Sequence, residues 1–200
     1  MKIMKRLSLL LFLGAIIIIS GCSKDDSIDQ DQTNLQDPTL KAEKIYFDGL
    51  CLPTLEPIVC GESHELPNGM VKVTGFQSVW QDVTGDELTT GYTYWDEDML
   101  FSKDRKSAKV WGKAILVLDD ERGEWHFSMQ GSWIIKEGSD DLLAPICDLP
   151  PPPAPLPSSI ITGVCKAVGK SGEVKGMVGE WTYVMDTDAG FFYVITGWYR

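Results

Sequence analysis

The stretch Glu124-Trp125-His126-Phe127-Ser128-Met129-Gln130-Gly131-Ser132-Trp133-Ile134-Ile135-Lys136 decides the fold. Its apolar period is two. Trp125, Phe127, Met129, Gly131, Trp133 and Ile135 fall on one face, and Glu124, His126, Ser128, Gln130 and Ser132 on the other. Side chains alternate across a β-strand, so this is a strand with one face turned to a core and one to water. Gly131 breaks the bulky row, which predicts a bend there. The same alternation outlines further strands at Lys44–Asp48, Met70–Trp80, Leu88–Trp95, Ser107–Leu118, Ile160–Val168, Glu173–Asp186 and Gly190–Tyr199. Turn-forming runs separate several of them, notably Asp119-Asp120-Glu121-Arg122-Gly123 and Asp186-Thr187-Asp188-Ala189-Gly190. No segment sustains a 3.6-residue period with helix caps. About eight long strands predict an all-β protein, an antiparallel barrel with a β-sandwich as the alternative. Glycines inside the strands (Gly75, Gly112, Gly131, Gly176, Gly197) favour the barrel, whose walls must curve locally.

Composition limits the partners. Apolar residues make up 44% of the 200-residue chain and charged residues 24%, enough apolar matter for a packed domain. The net charge is −11, and it becomes −14 once Lys2, Lys5 and Arg6 are set aside with an N-terminal leader that holds no acid. Such a field repels phosphate, so nucleic acid is excluded as a partner. No long apolar run follows residue 21, so the body does not span a membrane with helices.

The N-terminus begins Met1-Lys2-Ile3-Met4-Lys5-Arg6 and continues with an apolar run from Leu7 to Ile19. Charged n-region and short h-region together predict a secretory signal over residues 1–21. The run ends Ile19-Ser20-Gly21-Cys22, which resembles the bacterial lipobox. That resemblance implies a diacylglyceryl group on the Cys22 thiol, with Cys22 as the new N-terminus. Acyl chains contribute about 0.8 kcal/mol per buried CH₂. The next residues, Ser23-Lys24-Asp25-Asp26, lack the aspartate that follows the cysteine in inner-membrane lipoproteins of enteric bacteria. They resemble the surface-export signal of Bacteroidota lipoproteins. The implied location is the outer membrane, lipid-anchored and facing the exterior.

Residues 22–43 are polar and acidic with no period, and read as a disordered tether that holds the folded domain clear of the bilayer. Residues 44–200 form the β-barrel domain. Within it, Gly123-Glu124-Trp125 is echoed by Gly179-Glu180-Trp181. Thr-Gly precedes an aromatic residue at Thr74-Gly75-Phe76, Thr90-Gly91-Tyr92 and Thr196-Gly197-Trp198. This texture is similar to that of lipocalin-like and allene-oxide-cyclase-like barrels. It implies the barrel architecture and carries no functional residue across.

Four cysteines remain besides Cys22: Cys51, Cys60, Cys147 and Cys165. An even number in an exported chain predicts two disulfides. Three pairings are open, of which Cys51–Cys60 and Cys147–Cys165 close the shortest loops. The second loop would tie the base of the proline-rich segment 145–159, which holds seven of the 11 prolines. That segment cannot join a central strand and reads as a stiff polyproline connector, with a protruding recognition loop as the alternative. A zinc site lacks Cys-x-x-Cys spacing and has only two histidines to draw on.

No catalytic constellation is visible. His64 lies in a loop-like stretch, and His126 lies on the polar face of its strand beside Glu124 and Ser128. That triple, with Trp198, makes the candidate ligand or partner contact. Asp119-Asp120-Glu121 and Asp186-x-Asp188 have oxygen-rich turns of the kind calcium uses, but aspartate is equally at home in hairpin turns. No cofactor motif and no metal site is expected. The expected role is non-enzymatic: binding of a small apolar ligand or an envelope protein by a surface lipoprotein. A structural subunit of an envelope complex and an envelope or nutrient-processing enzyme are the alternatives.

Overall fold

Alternation carried through nearly the whole body produces one antiparallel sheet in the computed structural model, which describes residues 42–145 and 156–200. Its strands are β1 (Ile45–Pro53), β2 (Glu62–Glu65), β3 (Val71–Thr84), β4 (Gly91–Phe101), β5 (Ser107–Leu118), β6 (Gly123–Ile135), β7 (Ser159–Gly172), β8 (Val178–Asp186) and β9 (Tyr193–Tyr199). The signal segment, Cys22, nearly all of the tether and most of the proline-rich segment lie outside the described residues.

From β3 to β9 each strand pairs with the next, and β9 pairs with β1. The ring then closes through β1 and β3, where Gly49–Pro53 runs opposite Thr84–Trp80. Eight strands thus form a closed up-and-down barrel, and closure leaves no sandwich edge. β2 is an addition. The chain leaves the wall after Pro53, touches β3 through a bridge between Val59 and Gln77, and rejoins it as β2 opposite Val71–Thr74.

The inward rows follow from the period of two. On β6 they are Trp125, Phe127, Met129, Trp133 and Ile135, as the sequence predicts. Gly131 serves a closer need than a bend: a Cβ there would stand 2.1 Å from the Thr162 carbonyl oxygen of β7. Strand β5 has the predicted bounds. Two strands differ. β4 runs on to Phe101, through Asp96-Glu97-Asp98, where the charges resemble a loop but only Glu97 points inward. β8 starts at Val178 because residues 173–177 form a tight turn closed by Met177 N–H on the Val174 carbonyl.

The interior packs as two apolar groups. One includes Phe47, Leu116, Trp125, Phe127, Trp181 and Tyr199. The other includes Val71, Phe76, Phe101, Trp133, Ile135 and Leu143. Met129 and Ile161 pack against both. Buried indoles are tied down where partners exist: Trp125 Nε1 donates to the Leu88 carbonyl at 2.8 Å, and Trp133 Nε1 donates to Ser159 Oγ at 2.8 Å.

The cysteine pairing is corrected. Cys51 and Cys165 are both free thiols, fully buried. Cys60 is disulfide-bonded, so neither Cys51–Cys60 nor a Cys165 bridge exists. Cys147 lies outside the described residues. The reason is strand parity: Cys51 on β1 and Cys165 on β7 both occupy inward positions, and each is packed as a small apolar core side chain.

Candidate functional site

A cavity of about 70 Å³ lies between the two apolar groups of the barrel core. Its wall is mostly apolar and rich in aromatic rings. Trp80 and Tyr193 meet edge-to-face with centroids 5.0 Å apart, Tyr193 and Tyr183 at 6.1 Å, and Tyr183 and Trp95 at 5.2 Å. These rings form a connected row drawn from β3, β9, β8 and β4. Met99, Met129 and Ile161 also line it, as do the hydroxyl-bearing Ser78 and Thr162. The rim comes from segments outside the strands: Ile58 from the excursion between β1 and β2, Leu156 before β7, and Phe191 before β9. Ile58 and Phe191 are exposed, so this side communicates with solvent.

One charged side chain faces this cavity. Glu97 sits on β4 opposite Phe76 of β3 and Gly112 of β5. Burial, reinforced by the neighbouring Asp96 charge, pushes its carboxyl from 4.5 up to about 7. Its side retains some surface because it borders the cavity. Among the described residues its carboxylate accepts no hydrogen bond and meets no cation, and the lining includes no lysine, arginine or histidine.

A second buried carboxylate is differently placed. Asp82 is wholly buried on β3, directly across from Cys51 of β1. Thr93 Oγ1 donates to its Oδ2 at 2.8 Å. Burial raises Asp82 from 3.8 to about 6, and interactions with Cys51, Thr93 and Tyr183 partly offset that rise. Burial likewise pushes the Cys51 thiol and the Tyr183 hydroxyl well up. Asp82 is not part of the cavity wall, whereas Glu97 is.

The residues singled out from sequence lie elsewhere. Glu124, His126 and Ser128 occupy outward positions on β6, with His126 Nε2 3.5 Å from Glu124 Oε2 and both side chains more than two-fifths exposed. His126 and Ser128 border a shallow groove on the outer wall, beside Tyr94, Ile115 and Lys166. Trp198 also faces outward, but on β9 opposite Glu180 and Tyr46, and Lys44 Nζ lies 3.6 Å from its ring centroid. Strands β7 and β8 separate it from the β6 triple, so the four residues do not make one site. Of the two aspartate turns, Asp186 and Asp188 are bridged by Lys136, and Asp188 also accepts from Ser158 Oγ at 2.9 Å. Asp119–Glu121 forms a short 3₁₀ turn. Among the described residues no helix is long and apolar enough to cross a membrane.

Reasoning from sequence missed Glu97, Asp82 and the ring row. One signal was present: Gly91, Thr93, Trp95, Glu97, Met99 and Phe101 share a parity, which sets a carboxylate in an otherwise inward row. Comparison with protein-family models, with curated proteins and with solved structures finds no match to this chain.

Proposed function

We propose that this protein is a lipid-anchored outer-membrane protein that binds a small ligand inside its barrel without transforming it. The anchor at Cys22, the outward orientation and the acidic tether rest on the lipobox and on Ser23-Lys24-Asp25-Asp26. The binding role rests on one observation: an aromatic-rich cavity, open at its rim, whose wall holds a single carboxylate, unpartnered among the described residues. Concave, mostly apolar sites with few polar groups are the usual form of small-molecule sites. Glu124, His126 and Ser128 stand on the outer wall, away from this cavity, so they supply it with no acid–base group.

Gly163 makes the reading testable. It lines the cavity, and a Cβ there would meet Met129 at 3.6 Å, an ordinary contact. Gly163→Val therefore projects two methyl groups into the space from a Cβ that itself makes only ordinary contacts. Isobutanol titrated into the full chain in detergent micelles is expected to change tryptophan fluorescence saturably, and to do so in the wild type only. Equal responses from both proteins, or no saturable response, refute a cavity-binding role. Metabolic labelling with palmitate, abolished by Cys22→Ser, tests the anchor, and digestion by external protease on intact cells tests the orientation.

The second reading is an assembly subunit, and one observation favours it. Val79, Tyr94, Ile115, His126 and Val168 stand opposite one another in register across β3 to β7, on the outer wall. Tyr94, Ile115 and Val168 are exposed there. Exposed apolar rows of this kind are common contact surfaces.

A further inference from the structure

The cavity holds a carboxylate that meets no counter-charge among the described residues, and that is the least expected feature of the barrel. An unpaired charge in an apolar site is costly, and a buried carboxylate normally has a cation or several donors around it. Asp82, away from the cavity, is satisfied at one oxygen only: Thr93 donates to Oδ2, and Oδ1 has no hydrogen-bond partner among the described residues. Glu97 lacks any such partner among the described residues, and it borders the one enclosed space lined by the ring row. The faces of Trp and Tyr rings carry negative potential and attract cations, most strongly where water is excluded. Trp80, Trp95, Tyr183 and Tyr193 supply four such rings around the same space.

Resting on the cavity-binding reading, we infer that the ligand presents an ammonium group to Glu97, with the aromatic row as its walls. Size restricts the enclosed part. An apolar cavity of about 150 Å³ admits benzene, so about 70 Å³ suits a head of roughly three non-hydrogen atoms. The rim at Ile58, Leu156 and Phe191 leaves a path for any longer tail. The ligand class is a small primary or methylated amine, alone or as the head of a larger molecule.

The test uses three molecules of one shape: isobutylamine, isobutanol and isobutyrate, titrated into the full chain in detergent micelles. The amine is expected to bind at least tenfold more tightly than the alcohol at pH 8, and isobutyrate more weakly than either. Glu97→Gln is expected to remove the amine's advantage while leaving isobutanol binding in place. A second measurement varies the pH. Amine affinity should rise about tenfold per pH unit up to about pH 7 and then level, while isobutanol affinity stays flat, because only ionised Glu97 pairs with the cation. The titratable groups that act on or share this interior are Asp96 beside Glu97, Asp82, Cys51, Cys165, Tyr183 and Tyr193. Burial also raises Asp82, to about 6, so the break is assigned by repeating the titration with Glu97→Gln: its loss assigns the effect to Glu97, and its persistence assigns it to Asp82 and overturns the pairing. Isobutanol binding without an amine advantage, or an amine affinity independent of pH, overturns the ammonium assignment and leaves the cavity-binding reading intact. Failure of all three molecules to bind overturns both.

Discussion

Replacing Glu97 by glutamine should change the way stability depends on pH. The amide matches the carboxyl in size and cannot ionise. In the folded protein, burial raises the Glu97 carboxyl from 4.5 to about 7. The folded state therefore holds its proton more tightly than the unfolded chain does. Stability from this group is fully present below about pH 4.5, declines as pH rises, and is lost once pH passes about 7. At 1.36 kcal/mol for each tenfold change in proton affinity, the loss is about 3 kcal/mol. Asp82 adds a loss of the same sign between 3.8 and about 6, and the glutamine variant retains it. Glu97→Gln should match the wild type near pH 4 and exceed it by about 3 kcal/mol at pH 8. Urea denaturation followed by tryptophan fluorescence, at intervals from pH 4 to pH 8, measures both curves. Exposed carboxylates paired with Lys136 and Arg122 act at lower pH and cancel in the difference. Parallel curves for the two proteins would mean that Glu97 is solvated like a surface carboxylate. Glu97 would then offer no buried charge to a ligand in the cavity.

Other perturbations test the architecture. Trp133→Ala removes a fully buried indole and its bond to Ser159 Oγ, and should cost about 3–5 kcal/mol in the same assay. Gly131→Ala should destabilise the barrel and lower its melting temperature by several degrees, because its Cβ would collide with the Thr162 carbonyl, whereas Gly163→Ala, whose Cβ meets only ordinary contacts, should leave the melting temperature near the wild type. Cys51 and Cys165 should react with iodoacetamide only after unfolding, since both are buried and burial raises both thiols. Peptide mapping without reduction should recover Cys60 in a bridge and Cys51 and Cys165 as free thiols; a Cys51–Cys60 peptide would refute this.

Much of the barrel was legible because its signal is local. The row from Trp125 to Ile135 reads inward from parity alone, and the bounds of Ser107–Leu118 follow from the turns on either side. The exposed β2, Glu62–Glu65, carries no apolar alternation and was missed for that reason. The second half of β4 was missed because Asp96 and Asp98, which point outward, disguise a row that continues through Glu97 to Met99 and Phe101. The cysteines misled through the same locality: short loops favoured Cys51–Cys60, but inward parity placed Cys51 among core side chains opposite Asp82.

The candidate site was not legible, and its residues show why. Glu97 acquires its meaning from Trp80, Tyr183 and Tyr193, which reach it from β3, β8 and β9 only after the ring closes. The period of two states which way a side chain points and nothing about what it meets there. Sequence by itself therefore determined the strands, their inner and outer faces and the class of fold, since each depends on neighbours two residues apart. Tertiary structure decided the closure between β1 and β3, the free thiols and the lone carboxylate among rings, because burial and pairing depend on strands far apart in the chain.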